Sequence, residues 1–336
     1  MTVLVAGGAG YIGSHTVTEL MSRGFDVVIA DDFRGSSRKT LQGIEAITGK
    51  RCLCWEGDLR DYDSVSAAFS QWRPETVINF AAYKSIGESV EEPLKYYDNN
   101  LRVMINLCRA MEEHRAERMI FSSSATVYGS GSSPMGEECQ ASETLNPYGE
   151  TKKICERILM DFNRAHPSKD VCILRYFNPV GAHSSGLIGE SSEGRVTNLM
   201  PLICMTAAGK AGPLKVYGQD YPTPDGTGVR DYIHVTDVAA GHVAAMSFLK
   251  EHKGVHVFNL GTGRGISVLE MIKAFERVNR VKVPYKVVSR RPGDVAECYA
   301  SVEKAEKVLG WRARLDIEDM VRDAWRFETM EQQDVF

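Results

Sequence analysis

Nothing in this chain asks for a metal, a disulfide or a membrane. Its eight cysteines, Cys52, Cys54, Cys108, Cys139, Cys155, Cys172, Cys204 and Cys298, lie mostly inside apolar stretches and form no C-x-x-C pair. That scatter argues against a disulfide framework or a zinc site and for reduced core thiols in the cytoplasm. The eight histidines show no H-E-x-x-H or similar ligand spacing, so no metal is expected. No apolar run approaches the roughly 20 residues of a spanning helix. No basic leader precedes the first strand, and the C-terminal residues match no lipidation or peroxisomal signal. The net charge of −4 gives no reason to expect nucleic acid or an anionic membrane as partner. There is no internal repeat and no low-complexity tract. What remains is 336 residues of ordinary globular composition, 43% hydrophobic and 25% charged, with length for about two domains.

What is there begins at once. Thr2-Val3-Leu4-Val5-Ala6 reads as a short buried strand, and Ser14 to Arg23 reads as a helix with Val17, Leu20 and Met21 on one face. Between them lies Gly7-Gly8-Ala9-Gly10-Tyr11-Ile12-Gly13, a G-x-x-G-x-x-G turn. Strand, glycine turn and helix together are the context that a dinucleotide fingerprint requires. Gly7 allows the tight turn, Gly10 lets backbone approach a pyrophosphate, and Gly13 allows close packing, with the helix N-terminus facing the phosphates. A second strand, Asp26 to Ala30, ends at Asp31-Asp32, about 20 residues on, where a carboxylate takes ribose hydroxyls. An acid there repels a 2′-phosphate, so NAD is expected rather than NADP.

A second constellation lies in mid-chain. Asn146-Pro147 opens a helix that runs through Ile154, Ile158 and Phe162, and Tyr148 and Lys152 share one face of it. A neighbouring ammonium is expected to pull the phenol pKa down and make a base at neutral pH. Alone, such a pair is usually a solvated helix turn. Here Ser122-Ser123-Ser124 closes a preceding strand that starts at Arg118, and a serine hydroxyl can hold the oxygen whose proton the tyrosine takes.

The glycine turn, the serine run and Tyr-x-x-x-Lys together resemble the extended short-chain dehydrogenase/reductase family, and within it the nucleotide-sugar epimerases. Supporting stretches include Leu174-Arg175-Tyr176-Phe177-Asn178-Pro179-Val180-Gly181-Ala182, Asp225 to Val235 and Asn259-Leu260-Gly261-Thr262-Gly263. The resemblance implies an α/β fold: a doubly wound, mostly parallel Rossmann sheet in residues 1–180 and a smaller α/β substrate domain in 181–336. A strand near Val255 to Phe258 would return to the main sheet. It also implies a homodimer and inversion at C4 of a UDP-hexose through a 4-keto sugar, with NAD ending as it began.

The resemblance assigns roles residue by residue. Ser124, Tyr148 and Lys152 are the implied catalytic set. To the turn residues Gly7, Gly10, Tyr11, Ile12 and Gly13 and to Asp31 and Asp32 it adds cofactor contacts at Ser36, Asp58 and Leu59. Phe80, Ala81, Ala82 and Lys84 leave the strand that starts at Thr76, where ligands sit in such sheets. Asn99, Ser122 and Phe177 complete the cofactor side. For the substrate it implies Lys84, Tyr176, Asn178, Asn198 and Leu199, with Lys215, Val216 and Tyr217 on a short strand whose aromatic could flank uracil. Arg230 and Arg291 are the implied diphosphate cations, since guanidinium forks suit phosphate oxygens. Asp294 and Cys298 would line the sugar pocket, and a cysteine there suggests room for UDP-GlcNAc and UDP-GalNAc. Asn79 and Ala82 depart from the histidine and glycine more usual nearby.

Some readings stay open from residues alone. Asp58 is either an adenine contact or the N-cap of a helix from Tyr62 to Trp72. The stripe Leu94, Tyr97, Leu101, Met104, Ile105, Cys108 and Met111, on a helix from Pro93, is either core or subunit interface. A 4,6-dehydratase would want Asp-Glu where Ala125-Thr126 stand. A uronate 4-epimerase differs by a cation that the sequence does not identify. A silent NAD-binding protein usually loses the Tyr/Lys pair.

Overall fold

The structure, a computed structural model, describes residues 1–139, 143–191, 196–291 and 293–331. Part of the stretch 184–195, rich in glycine and serine, and the C-terminal residues beyond 331, lie outside the described residues.

Strands and helices alternate as expected through the first half: β1 (Thr2–Ala6), α1 (Tyr11–Ser22), β2 (Asp26–Asp31), α2 (Arg38–Thr48), β3 (Leu53–Glu56), α3 (Tyr62–Trp72) and β4 (Thr76–Asn79). Then come α4 (Ile86–Glu91), α5 (Pro93–Glu113), β5 (Arg118–Ser124), a short 3₁₀ turn over Ala125–Tyr128, α6 (Pro147–Ala165) and β6 (Asp170–Tyr176). The second half holds β7 (Asn178–Val180), α7 (Leu199–Ala207), β8 (Leu214–Tyr217), β9 (Val229–His234), α8 (Val235–Phe248) and β10 (Val255–Leu260). It closes with β11 (Gly265–Ser267), α9 (Val268–Asn279), β12 (Tyr285–Val288), β13 (Glu297–Cys298) and α10 (Ile317–Glu331). Between β13 and α10 lies a single wide helical turn, Ala305–Leu309.

The main sheet has seven parallel strands in the order β3-β2-β1-β4-β5-β6-β10. Strand order reverses between β1 and β4, which opens a crevice at their carboxyl ends. Central strands are apolar on both faces because helices cover both; Val3, Leu4, Val5 and Ala6 have no exposed surface. One face packs Val17, Leu20 and Ile44 with Val238 and Met246; the other packs Phe69, Met104, Leu107 and Leu159. α8 packs against α1 on the first face, so residues 235–260 complete the main sheet layer. The rest of the second half forms its own core around Tyr232, Ile272, Phe275 and Val321, with β9 flanked by β11, β13 and β7, and β12 paired to β8.

The stripe on α5 divides. Met104, Cys108 and Met111 are buried in the core, whereas Leu94 is 81% exposed and Ile105 46%. Asp58 does not cap α3. Asp61 does, accepting from Asp63 N at 3.2 Å.

Candidate active site

α6 begins where Asn146 folds its side chain back: Oδ1 accepts from Gly149 N at 2.9 Å, and Pro147 occupies the first helical turn. This start fixes Tyr148 in the first turn and Lys152 one turn on. β5 delivers Ser122, Ser123 and Ser124 at the sheet's carboxyl edge, beside α6. The Lys152 ammonium, 4% exposed, donates to the Ser122 carbonyl at 2.7 Å and lies 5.8 Å from the Tyr148 ring centroid. Ser124 Oγ accepts from Thr126 N at 3.3 Å, and its hydroxyl lies close enough to the Tyr148 phenol to act on its ionisation. Ser124, Tyr148 and Lys152 therefore meet.

The electrostatics depart from expectation. Burial pushes the Tyr148 phenol up to about 12, and the Ser124 hydrogen bond offsets only part of this. Burial also brings Lys152 down to about 8, against weaker support from Cys155 and Glu156. The expected lowering of the phenol by the ammonium is not found, because the ammonium faces a backbone carbonyl and both groups are desolvated.

At the crevice, Gly7 has φ +73°, and a Cβ there would lie 2.7 Å from Ala81 N; one on Gly13 would lie 2.2 Å from the Gly7 carbonyl oxygen. Only glycine lets the two loops touch here. Gly10 precedes α1 with no side-chain cap, so no cap takes the N–H groups of Tyr11, Ile12 and Gly13. Tyr11 Oη donates to the Gly181 carbonyl at 2.7 Å. Asp31, 8% exposed, accepts from Ala9 N (3.0 Å), Phe33 N (3.0 Å) and Ser36 Oγ (2.8 Å), tying the turn to the loop after β2. Asp32 accepts from Arg34 N at 2.9 Å. Asp58 sits between Arg34 and Arg60, which hold its carboxyl well below the usual range. Leu59 is buried. Arg34 and Arg38, the arginines nearest the acids, are each paired to carboxylates, Asp32 with Asp58 and Glu56. These groups fit a dinucleotide without a 2′-phosphate: a cradle a Cβ would fill, an uncapped helix start, and an acidic second loop with neutralised cations.

Phe80 and Tyr176 flank His242, with ring centroids 4.7 and 5.6 Å from it, so Tyr176 is part of the floor. Phe177 stacks on Tyr128 at 6.4 Å, and Asn178 opens β7. Asn99 donates to Asn100 Oδ1 at 3.0 Å. Its neighbour Asn100 was missed by sequence reasoning. It is 3% exposed, accepts from Tyr83 N at 2.9 Å and donates to Thr151 Oγ1 at 2.9 Å, so it ties the Ala81–Lys84 loop to α6. Two successive asparagines on a helix were its only signal.

The opposite wall comes from the second half. Lys84 reaches across to Glu190 (2.9 Å), which also accepts from Asn198 Nδ2 at 2.7 Å, just ahead of Leu199. Arg230 Nη2 donates to Asp294 Oδ1 at 2.7 Å. Arg291 stacks on Tyr217, 3.9 Å from its centroid, so the aromatic expected at uracil has one face covered by a guanidinium. In the same strand Lys215 is exposed and Val216 is core. Cys298 pairs in register with Arg230, and its sulfur lies 4.0 Å from Met135 Sδ. It packs on the cluster of Ala125, Tyr128 and Phe177, which joins this wall to the Ser124 edge. Among the described residues no group of three metal-ligating side chains gathers, and no helix is long and apolar enough to cross a membrane.

Comparison with known proteins gives one direction. The model of the NAD dependent epimerase/dehydratase family matches residues 3–261. The chain is 50% identical over 330 residues to a UDP-glucose 4-epimerase of Bacillus subtilis (strain 168), covering 98% of this chain and 97% of that protein. It superposes with a TM-score of 0.95 on the UDP-glucose 4-epimerase of Bifidobacterium longum in complex with NAD+ and UDP, at 48% identity and 99% coverage of both chains. A UDP-Glc/GlcNAc 4-epimerase of Campylobacter jejuni gives 0.85 at 34% identity, covering 98% of this chain and 99% of that one.

Proposed function

Because the chain belongs to the NAD dependent epimerase/dehydratase family, we propose that it interconverts UDP-glucose and UDP-galactose by inverting C4, with NAD as its resident cofactor, in the service of galactose metabolism. The observation that carries this reading is that Ser124, Tyr148 and Lys152 meet where β5 ends and α6 begins, at the carboxyl edge of the same sheet whose glycine turn fits NAD.

When bound, NAD supplies a reversible two-electron acceptor, so that C4 passes through a ketone and is reduced again on its other face. The chain's residues do the rest. Tyr148 takes the proton of the 4-hydroxyl and returns it at the end of the cycle. Ser124 holds the same oxygen and Tyr148 Oη together. Lys152, anchored on the Ser122 carbonyl, keeps its ammonium on the helix face that carries the phenol. Arg230 and Arg291 hold the diphosphate, and Lys84 adds charge between substrate and cofactor. The nucleotide is gripped while the hexose is left loose enough to present both faces.

Two finer readings go with this one. The small Cys298 side chain leaves room for an N-acetyl group, so UDP-GalNAc is turned over as well as UDP-galactose. The apolar face of α5 exposed at Leu94 and Ile105, with Tyr97 and Leu101 half-buried between them, is covered by a second copy of the chain. The eight cysteines, free in the structure, suit a reducing cytoplasm.

The deciding experiment is conversion of UDP-galactose to UDP-glucose by the purified protein with no NAD added. Conversion is expected, since a cofactor that ends as it began stays bound. No conversion, even with NAD supplied, would sink the reading. Sedimentation as a monomer at micromolar concentration would remove the dimer.

A further inference from the structure

Three residues in register on adjacent strands, Ser123 of β5, Arg175 of β6 and Asn259 of β10, form a polar row near the carboxyl edge of the sheet. α6 lies over that row. On it Tyr148, Lys152 and Glu156 recur every four residues, so all three share one helix face. Glu156 is 4% exposed and Arg175 8%. Ser123 Oγ donates to Glu156 Oε1 at 2.5 Å. Arg175 Nε donates to the same oxygen at 2.9 Å, and its Nη2 to Oε2 at 2.6 Å. The carboxylate is thus held by a two-pronged guanidinium and a hydroxyl.

The row continues toward the other wall. Arg175 Nη1 donates to the Glu137 carbonyl at 3.2 Å, and the guanidinium lies 4.9 Å from the Tyr128 ring. Tyr128 Oη donates to Asn259 Oδ1 at 2.6 Å. The Asn259 amide donates to the carbonyls of Met135 (2.8 Å) and Ser301 (3.2 Å). One connected network therefore runs from the helix of the base to the segment that follows Cys298.

We propose that Glu156 and Arg175 are positioning residues for the epimerisation, locking the α6 face that carries Tyr148 and Lys152 in register with the β5 residue Ser124. The inference rests on the reaction assigned above. Two consecutive residues of β5 are tied to that face, Ser122 by its carbonyl to Lys152 and Ser123 by its hydroxyl to Glu156, and the next, Ser124, sets its hydroxyl near the Tyr148 phenol. The Ser123 tie takes no part in proton transfer. A buried ion pair is a poor device for stability alone, because apolar residues of similar volume often do as well. What a bidentate pair adds is a fixed geometry. Reacting groups misplaced by about 1 Å can lose on the order of 10²-fold in rate, so a tie that fixes the helix against the sheet bears on the chemical step.

The test uses the full-length protein with its bound NAD and four readouts: kcat and KM for UDP-galactose, bound NAD per chain, melting temperature, and the isotope effect with substrate deuterated at C4. Glu156→Gln keeps an acceptor for Ser123 and removes the charge. It is expected to lower kcat about 30-fold with KM and NAD content within about twofold of wild type, and to raise the isotope effect as the chemical step becomes slower. Ser123→Ala is expected to lower kcat about fivefold, and Ser123→Thr, which restores the hydroxyl, to recover most of it. If Glu156→Gln does not fold, the Ser123 pair decides alone. Wild-type kcat per NAD-bound chain, with only a lower melting temperature, overturns the proposal, as does a loss confined to KM or to NAD content. Inactive wild-type protein would instead overturn the reaction itself.

Discussion

The two proposed walls of the site are built on different terms. The proposed chemical wall comes from the end of β5 and the start of α6, where Ser124 and Lys152 are nearly inaccessible and bonded to neighbours in the same seam. The proposed binding wall comes from loops and strand ends. The cations at it already have partners: Lys84, reaching over from the loop after β4, with Glu190, Arg230 with Asp294, Arg291 on Tyr217. The Lys84 side chain is 59% exposed. Folding sets the first wall. The second, on the proposed reading, holds charges that a diphosphate would draw away from internal partners. An enzyme that must keep its base fixed while the hexose turns over has reason to separate rigidity and exchange in this way.

The sharpest break of the comparison is Tyr148→Phe. Loss of a proton-transfer group should lower kcat by about 10²–10⁴-fold, with UDP affinity by calorimetry unchanged within about twofold. Retention of more than a few per cent of turnover, with UDP still bound, would remove Tyr148 from the chemistry.

Lys152→Met separates function from stability in the same wall. The folded value near 8 lies below the ordinary 10.5, so between these values the unfolded chain binds the proton and the folded chain does not. Stability from this group therefore rises with pH across that window, and the full cost is present below about pH 8. Removing the amine should stabilise the protein by about 2 to 3 kcal/mol at pH 7, less whatever the lost Ser122 hydrogen bond contributes, and the gain should vanish above about pH 10.5. Denaturant melts of both proteins at pH 7 and pH 10.5 read this directly. A variant less stable at both would mean that the ammonium is better solvated than its burial implies.

On the other wall, Arg230→Ala should raise the UDP dissociation constant by about 10- to 100-fold, as expected for losing a charge-assisted hydrogen bond of about 1.5–3 kcal/mol. At saturating substrate kcat should stay within a few-fold. A large fall in kcat with affinity intact would show that the second wall also takes part in the chemistry.

How legible the two walls were in sequence follows from the same difference. The dinucleotide turn and the start of α6 are local: Gly7 to Gly13 and Asn146-Pro147 carry their own backbone instructions; α6 starts where expected, whereas α1 starts at Tyr11, three residues before the expected Ser14. Tyr148 and Lys152 were readable because four residues make one helical turn. Glu156 is the next step of that spacing, yet its partner Arg175 arrives 19 residues later on another strand, and nothing local marks the pair. The internal partners of the binding cations lie farther still, 106 residues for Lys84 and 64 for Arg230. Arginines with a resemblance behind them could be named as phosphate ligands; what they rest on could not. The phenol's raised value was equally out of reach, because spacing reports proximity but not desolvation.

The smallest predicted effect probes the internal partners themselves. Glu190 holds Lys84 and Asn198, two groups assigned to substrate, so in Glu190→Gln the diphosphate no longer displaces a carboxylate to reach them. The exposed pair with Lys84 is worth at most about 1 kcal/mol, so UDP should bind only about two- to fivefold more tightly. The gain should be largest at low salt and fade as ionic strength rises, since screening weakens Lys84–Glu190 and Lys84–phosphate alike. Titration of UDP into both proteins at about 20 mM and 500 mM salt separates the possibilities. Weaker binding in the variant would mean that Glu190 orders Lys84 for the ligand instead of competing with it. The second wall would then be preorganised as the first is, and the contrast between them would fall.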